Sequence, residues 1–216
     1  MENPSSPPGP EDALRDVTGV LLAGGKSRRM GTDKARLEVE GVPLLERAAR
    51  VFRRIFPANL VVANDPGLYA DLGFPVHADV YPNRGALVGI YTGLLKAETP
   101  YVFCASCDMP FLSEPLIRML VGLREGFDLV LPFSRQGREP LHAVYGRNCL
   151  APMARLIAEN RLAIMGVFSQ VRTRKVTPEE IAPLDPQFLS FMNCNTPEDL
   201  EAASALAKEM RPGRGV

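Results

Sequence analysis

Apolar residues in this chain fall into short dense runs that alternate with stretches where they recur every three or four positions. Val17–Leu22 is a nearly unbroken apolar run and predicts a buried strand. Residues 44–56 carry apolar positions at helical spacing, opened by Pro43, a residue at home at a helix start. A short strand is expected over 60–63, a short helix over 68–72 and an extended piece near Val76. Helices over 87–96 and 116–123 flank a strand over 101–104, and 129–131 reads as extended. Such alternation predicts a three-layer α/β fold, a mostly parallel sheet with helices on both faces.

The pattern changes after residue 133. Residues 134–138 are polar and read as flexible, strand character resumes over 141–145, and mixed strand direction is expected there. Further helices are predicted over 151–159, 164–170 and 197–208. Thr196 is placed as the N-cap of the last, with Pro197 first and Asp199 third. There is no internal repeat and no linker, so residues 16–209 are read as one domain between tails at 1–15 and 210–216. The first is rich in Pro and Ser, and a disordered tail is expected.

Charge and cysteine content narrow the function class. Lys plus Arg and Asp plus Glu number 25 each, so the formal net charge is zero. Binding to nucleic acid or to an anionic membrane favours a basic surplus that this chain lacks. No apolar stretch reaches membrane-spanning length, and residues 1–10 hold no apolar signal core, so a cytoplasmic location is expected. The four cysteines are 104, 107, 149 and 194. Cys104 and Cys107 have metal-site spacing but no second pair, and buried packing in a reducing compartment is expected.

The most informative segment directly follows the first strand: Leu22-Ala23-Gly24-Gly25-Lys26-Ser27-Arg28-Arg29-Met30-Gly31-Thr32-Asp33-Lys34. A glycine pair after a strand lets the backbone turn sharply and present bare N–H groups to a phosphate. Arg28, Arg29 and Lys34 supply cations. The P-loop is excluded because Val20 stands where its first glycine belongs. The dinucleotide fingerprint is excluded because Lys26 replaces its second glycine. Ligands of open α/β sheets bind beyond the carboxyl ends of the strands, and Asp108 follows the strand at 101–104 onto that rim. A carboxylate there suits Mg²⁺ on a triphosphate, although an Asp two residues before Pro110 also suits a turn. Asn193 and Asn195 bracket Cys194 before the last helix; either amide can complete a metal shell or serve as a cap, and Asn193 is the preferred second metal contact. Asn64 closes the second strand, where a base or sugar contact competes with a turn before Asp65-Pro66. His77 and His142 lack ligand-spaced partners, so packing is expected of both.

Taken together, the loop at 22–34 resembles the signature loop of the nucleotidyltransferases, and most closely that of the molybdenum cofactor guanylyltransferases. Three further segments match in order: Cys107-Asp108-Met109-Pro110, Glu139-Pro140-Leu141-His142-Ala143-Val144-Tyr145 and Asn193-Cys194-Asn195-Thr196-Pro197-Glu198-Asp199-Leu200. The resemblance implies a Rossmann-type fold of the nucleotide-diphospho-sugar-transferase kind. It also implies Mg²⁺ on Asp108 and nucleotide contacts from Leu22, Ala23, Gly24, Gly25, Lys34, Asn64, Asp79 and Asp108. Arg29, Lys34 and Asp108 would form the catalytic set, with Asn193 beside the metal. The implied reaction moves GMP from GTP to the terminal phosphate of molybdopterin or its molybdenum form, releasing pyrophosphate. Implied partners include cofactor-biosynthesis proteins and acceptor apoenzymes. Arg138, Glu139 and His142 stand near the acceptor in this comparison, and the basic stretch 172–175 is a further anion candidate, although a solvated strand edge is favoured for it. One departure is Gly85-Ala86-Leu87-Val88-Gly89, where relatives often carry Gly-Pro-Leu-Ala-Gly. The competing readings are CMP transfer to molybdopterin, nucleotidyl transfer to a sugar phosphate, and a nucleotide-binding regulator without turnover.

Overall fold

A computed structural model of the chain describes residues 14–23 and 37–210. Its elements begin with β1 (Val17–Leu22), the small hairpin β2 (Glu38–Val39) and β3 (Val42–Pro43), α1 (Leu44–Ile55), β4 (Ala58–Val62), β5 (Val76–His77) and α2 (Ala86–Lys96). Next come β6 (Tyr101–Ser106), α3 (Glu114–Gly122), β7 (Leu129–Ser134), β8 (Gly137–Arg138), β9 (His142–Gly146) and α4 (Leu150–Ala158). The last are β10 (Thr173–Val176), α5 (Pro178–Ile181) and α6 (Pro197–Glu209).

The main sheet runs β10-β7-β9-β6-β1-β4-β5, with β8 added on β7. β1 lies parallel to β4 and β6, β4 to β5, and β10 to β7. β9 alone on this path is antiparallel, to both β6 and β7. The loops after β1, β4, β5, β6 and β7 therefore open on one rim. This is the mixed, mostly parallel sheet expected from the element pattern.

Every residue of β1 is buried, which explains its unbroken apolar run: helices cover both of its faces. On one face Gly19 admits the α1 aromatics; a Cβ there would stand 2.6 Å from the Phe52 ring and 2.7 Å from that of Phe56. On the other face Gly93 of α2 meets Val20, where a Cβ would lie 2.6 Å from Cγ1. Two apolar cores result. Phe52, Phe103 and Leu116 lie in one, and Leu94, Tyr145 and Met153 in the other. Cys107 belongs to the first core and Cys104 to the second, so the two thiols of the Cys-x-x-Cys segment serve opposite faces as packing groups.

Three expectations change. The helix at 164–170 is a single 3₁₀ turn, Ile164–Gly166, because Gly166 seats against Leu156 and disfavours helix, and Gln170 turns back to donate to the Gly166 carbonyl at 2.7 Å. The short helix at 68–72 is a 3₁₀ turn, Pro66–Leu72, capped by the Asp65 side chain. The polar stretch 134–138 is ordered as the β7–β8 hairpin. Thr196 caps α6 as anticipated, in a reciprocal box with Asp199. The expected tails fall almost wholly outside the described residues, and Leu14 is already buried in the core.

Candidate active site

The rim is assembled by backbone bonds around the end of β1. Cys107 N–H donates to the Leu22 carbonyl at 3.1 Å, and Ala23 N–H donates to Val62 at 2.9 Å. Leu22, Ala23 and Asp108 are thereby brought together at adjacent strand ends. Gly24, Gly25, Arg29 and Lys34 lie outside the described residues.

Asp108 stands out chemically. Its Oδ1 is buried and has no hydrogen-bond partner among the described residues. An unpaired buried carboxylate oxygen is costly, and a cation relieves that cost. Cys194 N–H donates to the Asp108 carbonyl at 2.9 Å, which draws 193–195 against it. Asn193 donates its amide nitrogen to the Phe191 carbonyl at 3.0 Å, an orientation that leaves its amide oxygen able to meet a cation. One carboxylate and one amide oxygen suit a hard cation that keeps much of its water. No group of three or more His, Cys, Asp or Glu side chains able to hold a metal occurs among the described residues.

Beside this point lies a pocket of about 40 Å³, lined by Leu22, Val62, Asp79, Gly85, Gly89 and Ser106. A Cβ at Gly89 would sit 3.4 Å from Leu22 and 3.8 Å from Asp79, and so would fill it. Gly85, at φ 88°, opens α2 with no side-chain cap, leaving the positive end of that helix toward the pocket. Burial raises the Asp79 carboxyl above its usual range, and the Thr92 hydroxyl, donating at 3.3 Å, opposes that rise. Thr92 is wholly buried and also accepts from Val80 N–H at 3.2 Å. The sequence reading missed Thr92; its signal is a small polar residue one turn after Gly89 on the same helix face. Arg84 ties the 79–85 loop to the end of α4 through Asn160 Oδ1 at 2.6 Å and the Ile157 carbonyl at 3.3 Å.

Comparison with known proteins follows this geometry. The model of the MobA-like NTP transferase domain matches residues 19–173. The chain belongs to this family. It is 36% identical over 197 residues to the molybdenum cofactor guanylyltransferase of Desulfosudis oleivorans, covering 90% of this chain and 98% of the relative. It is 34% identical over 201 residues to a probable molybdenum cofactor guanylyltransferase of Pelotomaculum thermopropionicum, covering 93% and 98% respectively. The fold matches that of molybdopterin-guanine dinucleotide biosynthesis protein A from Archaeoglobus fulgidus with a TM-score of 0.78 at 24% identity, covering 89% of this chain and all of the other.

The remaining candidates of this MobA-like domain divide by position. Asn64 is exposed at the end of β4, on the rim but outside the lining of the small pocket. His142 is fully buried, with the Phe103 and Phe191 rings edge-on at 5.1 and 5.0 Å, and so packs as expected. Arg138 lies over Phe133, 5.7 Å from its centroid. Arg172 precedes β10 at the end of the sheet opposite the rim and pairs there with Asp128, consistent with an edge role. A second cavity, about 470 Å³, opens beyond Asn193 between the β7–β8 turn and residues 187–195. Burial raises the Glu139 carboxyl above its usual range, and its bond from Ser134, whose hydroxyl also accepts from Gln136 N–H, pins that turn.

Proposed function

We propose that this chain transfers GMP from GTP to the terminal phosphate of molybdopterin or its molybdenum form, making the guanine dinucleotide cofactor and pyrophosphate. Family membership and the guanylyltransferase names of its relatives support the reaction class. The observation that carries the reading is the Asp108 carboxylate oxygen at the tip of β6, beside the end of β1, buried and without a hydrogen-bond partner among the described residues.

A phosphate oxygen of the acceptor attacks the α-phosphorus of GTP in line. The new P–O bond forms as the bond to the β-phosphate oxygen breaks, and pyrophosphate leaves with that electron pair. An acceptor phosphate is ionised at neutral pH, so no general base is required. Asp108 and the Asn193 amide oxygen would hold Mg²⁺, which supplies electrostatic stabilisation of triphosphate charge. Arg29 and Lys34 take phosphate oxygens in this reading, with backbone N–H groups of Ala23, Gly24 and Gly25. Asp79 accepts from the nucleotide, and the open end of α2 meets its polar groups. Asn64 is placed at the sugar. Such catalysis rests on positioning and preorganised charge. The protein acts in the cytoplasm in this reading, alongside other enzymes of cofactor assembly and the apoenzymes that receive the product.

The test is pyrophosphate release with Mg²⁺, comparing GTP with CTP, with and without molybdopterin. Release that requires both GTP and the pterin is the expected result. Equal or better use of CTP overturns the base assignment, and release independent of the pterin overturns the acceptor.

A further inference from the structure

The 470 Å³ cavity is much larger than the small pocket beside Asp79, and it lies on the other side of the Asp108–Asn193 point. Its walls have an unusual make-up. Four amide side chains reach it, Gln136, Gln187, Asn193 and Asn195, over an apolar floor that includes Phe191 and Met192. Its one carboxylate among the described residues, Asp199, accepts from Asn195 and Thr196 N–H at 2.8 Å, so its charge is spent on the α6 cap. Its one cation, Arg135, meets no carboxylate among the described residues and lies 5.0 Å over the Phe188 ring.

That stack is held in place from both sides. Phe188 adopts φ 57°, a conformation that a bulky side chain avoids without support. The support is buried Asp185, whose two oxygens accept from Leu189 and Ser190 N–H at 3.0 and 2.9 Å. On the facing side, the Ser134–Glu139 bond fixes the turn that carries Arg135. A guanidinium lying on an aromatic face offers its other face to a second flat group. Amides donate and accept on adjacent atoms and so match the mixed edge of a nitrogen heterocycle.

We propose that this cavity seats the acceptor, a planar nitrogen heterocycle bearing a phosphate, with its ring on the Arg135–Phe188 stack and its phosphate directed to Asn193. The inference rests on the reading of the chain as a nucleotidyltransferase with a pterin acceptor. The orientation follows from the position of Asn193, which lines the cavity and adjoins Asp108. A ring seated on the open face of Arg135 is thereby kept apart from the small pocket beside Asp79, so donor and acceptor enter from different sides of the metal point.

Steady-state kinetics of the full chain under anaerobic conditions, with GTP, Mg²⁺ and molybdopterin, test this. Arg135 is exposed and holds no element in place, so Arg135→Ala should fold normally. Its KM for molybdopterin is expected to rise about tenfold or more, with kcat and the KM for GTP within about twofold of wild type. Arg135→Lys should fail to restore the acceptor KM, because the charge remains while the stacking plane is lost. Gln187→Ala should raise the same constant by a few fold. An unchanged acceptor KM in Arg135→Ala, or full restoration by Lys, overturns the proposal. A separate titration follows quenching of molybdopterin fluorescence without GTP. Quenching lost in Arg135→Ala upholds the cavity even if wild type releases no pyrophosphate, in which case the transferase reading alone falls. Equal quenching by wild type and variant, or none by wild type, overturns the cavity assignment.

Discussion

Thr92 shows how one hydroxyl can govern a carboxylate from beneath it. Its hydrogen opposes the burial that raises the Asp79 carboxyl, and its oxygen holds the Val80 amide, so the start of the 79–85 loop is fixed at two points. Thr92→Val keeps the shape and removes both bonds. Leaving a buried polar group unpaired costs about 1–3 kcal/mol. The variant should raise the KM for GTP about five- to tenfold with little change in kcat, and Thr92→Ser should restore it. An unchanged GTP KM in the valine variant would detach Thr92 from the site. His142 makes a second residue-scale case. Burial between two phenylalanines, with neither nitrogen hydrogen-bonded among the described residues, holds its pKa down to about 3, well below the 6.5 usual for histidine. The unfolded chain takes up a proton between pH 6.5 and 3 that the folded chain refuses, so this contribution to stability is complete above pH 6.5 and shrinks as pH falls through that window. Between pH 7 and pH 5 the loss from this group is about 2 kcal/mol. Urea unfolding of His142→Leu should show a shallower pH dependence than wild type by about that amount, and parallel curves would contradict the assignment.

Elements that pack on the sheet were legible in the sequence because each carries one dominant signal. β1 is apolar throughout since both faces are covered, α1 has its apolar stripe, and α6 has its Thr196–Asp199 box. What escaped was set by partners distant in sequence. Residues 164–170 have helical spacing, yet Gly166 fits against Leu156 and the segment closes as one 3₁₀ turn. β8 has two residues and exists only as the partner of β7. The site follows the same rule. Asp108 was visible from its place after a strand, whereas Thr92 and the Arg135–Phe188 stack depend on contacts 13 and 53 residues apart, which no local pattern encodes. α2 shows how finely such contacts are set. Gly93 lets the helix lie on Val20 of β1, and the same helix carries Thr92 and Gly89 to the small pocket. A methyl at 2.6 Å from Val20 Cγ1 must push helix from strand. Gly93→Ala should therefore cost about 1–3 kcal/mol despite its better helix propensity, and Tm should fall by several degrees. The GTP KM should rise as well; a stabilised variant with normal kinetics would show that α2 does not set the pocket.

At the scale of the whole molecule, the sheet separates two apolar cores while its rim gathers the chemistry. Five parallel strand ends bring Leu22, Asn64, Asp79, Asp108 and the Arg135 turn to one edge, while β9 enters that edge from the opposite direction. The antiparallel β9 widens the rim on the β7 side, where the larger cavity lies, so the smaller pocket and the larger cavity flank Asp108. A fold with a buried carboxylate oxygen that has no partner among the described residues, at the meeting point of its strands, carries a stability penalty that ligand binding should lift. Linkage gives the size: with GTP at a hundred times its dissociation constant, stabilisation is about 2.7 kcal/mol. For a domain of this length that corresponds to a rise in Tm of roughly 5–11 °C. The rise should need Mg²⁺ together with GTP, because Asp108 alone repels the triphosphate and the cation turns that repulsion into attraction. In the proposed reading, Asp108→Ala removes the repulsion and a Mg²⁺ ligand together. Its Tm without ligand should equal or exceed that of wild type, its rise with GTP should no longer depend on Mg²⁺, and its turnover should drop at least a hundredfold. A variant that unfolds at lower temperature without ligand, or that keeps a Mg²⁺-dependent shift, would mean that Asp108 is held by the fold for a structural purpose and that the metal lies elsewhere.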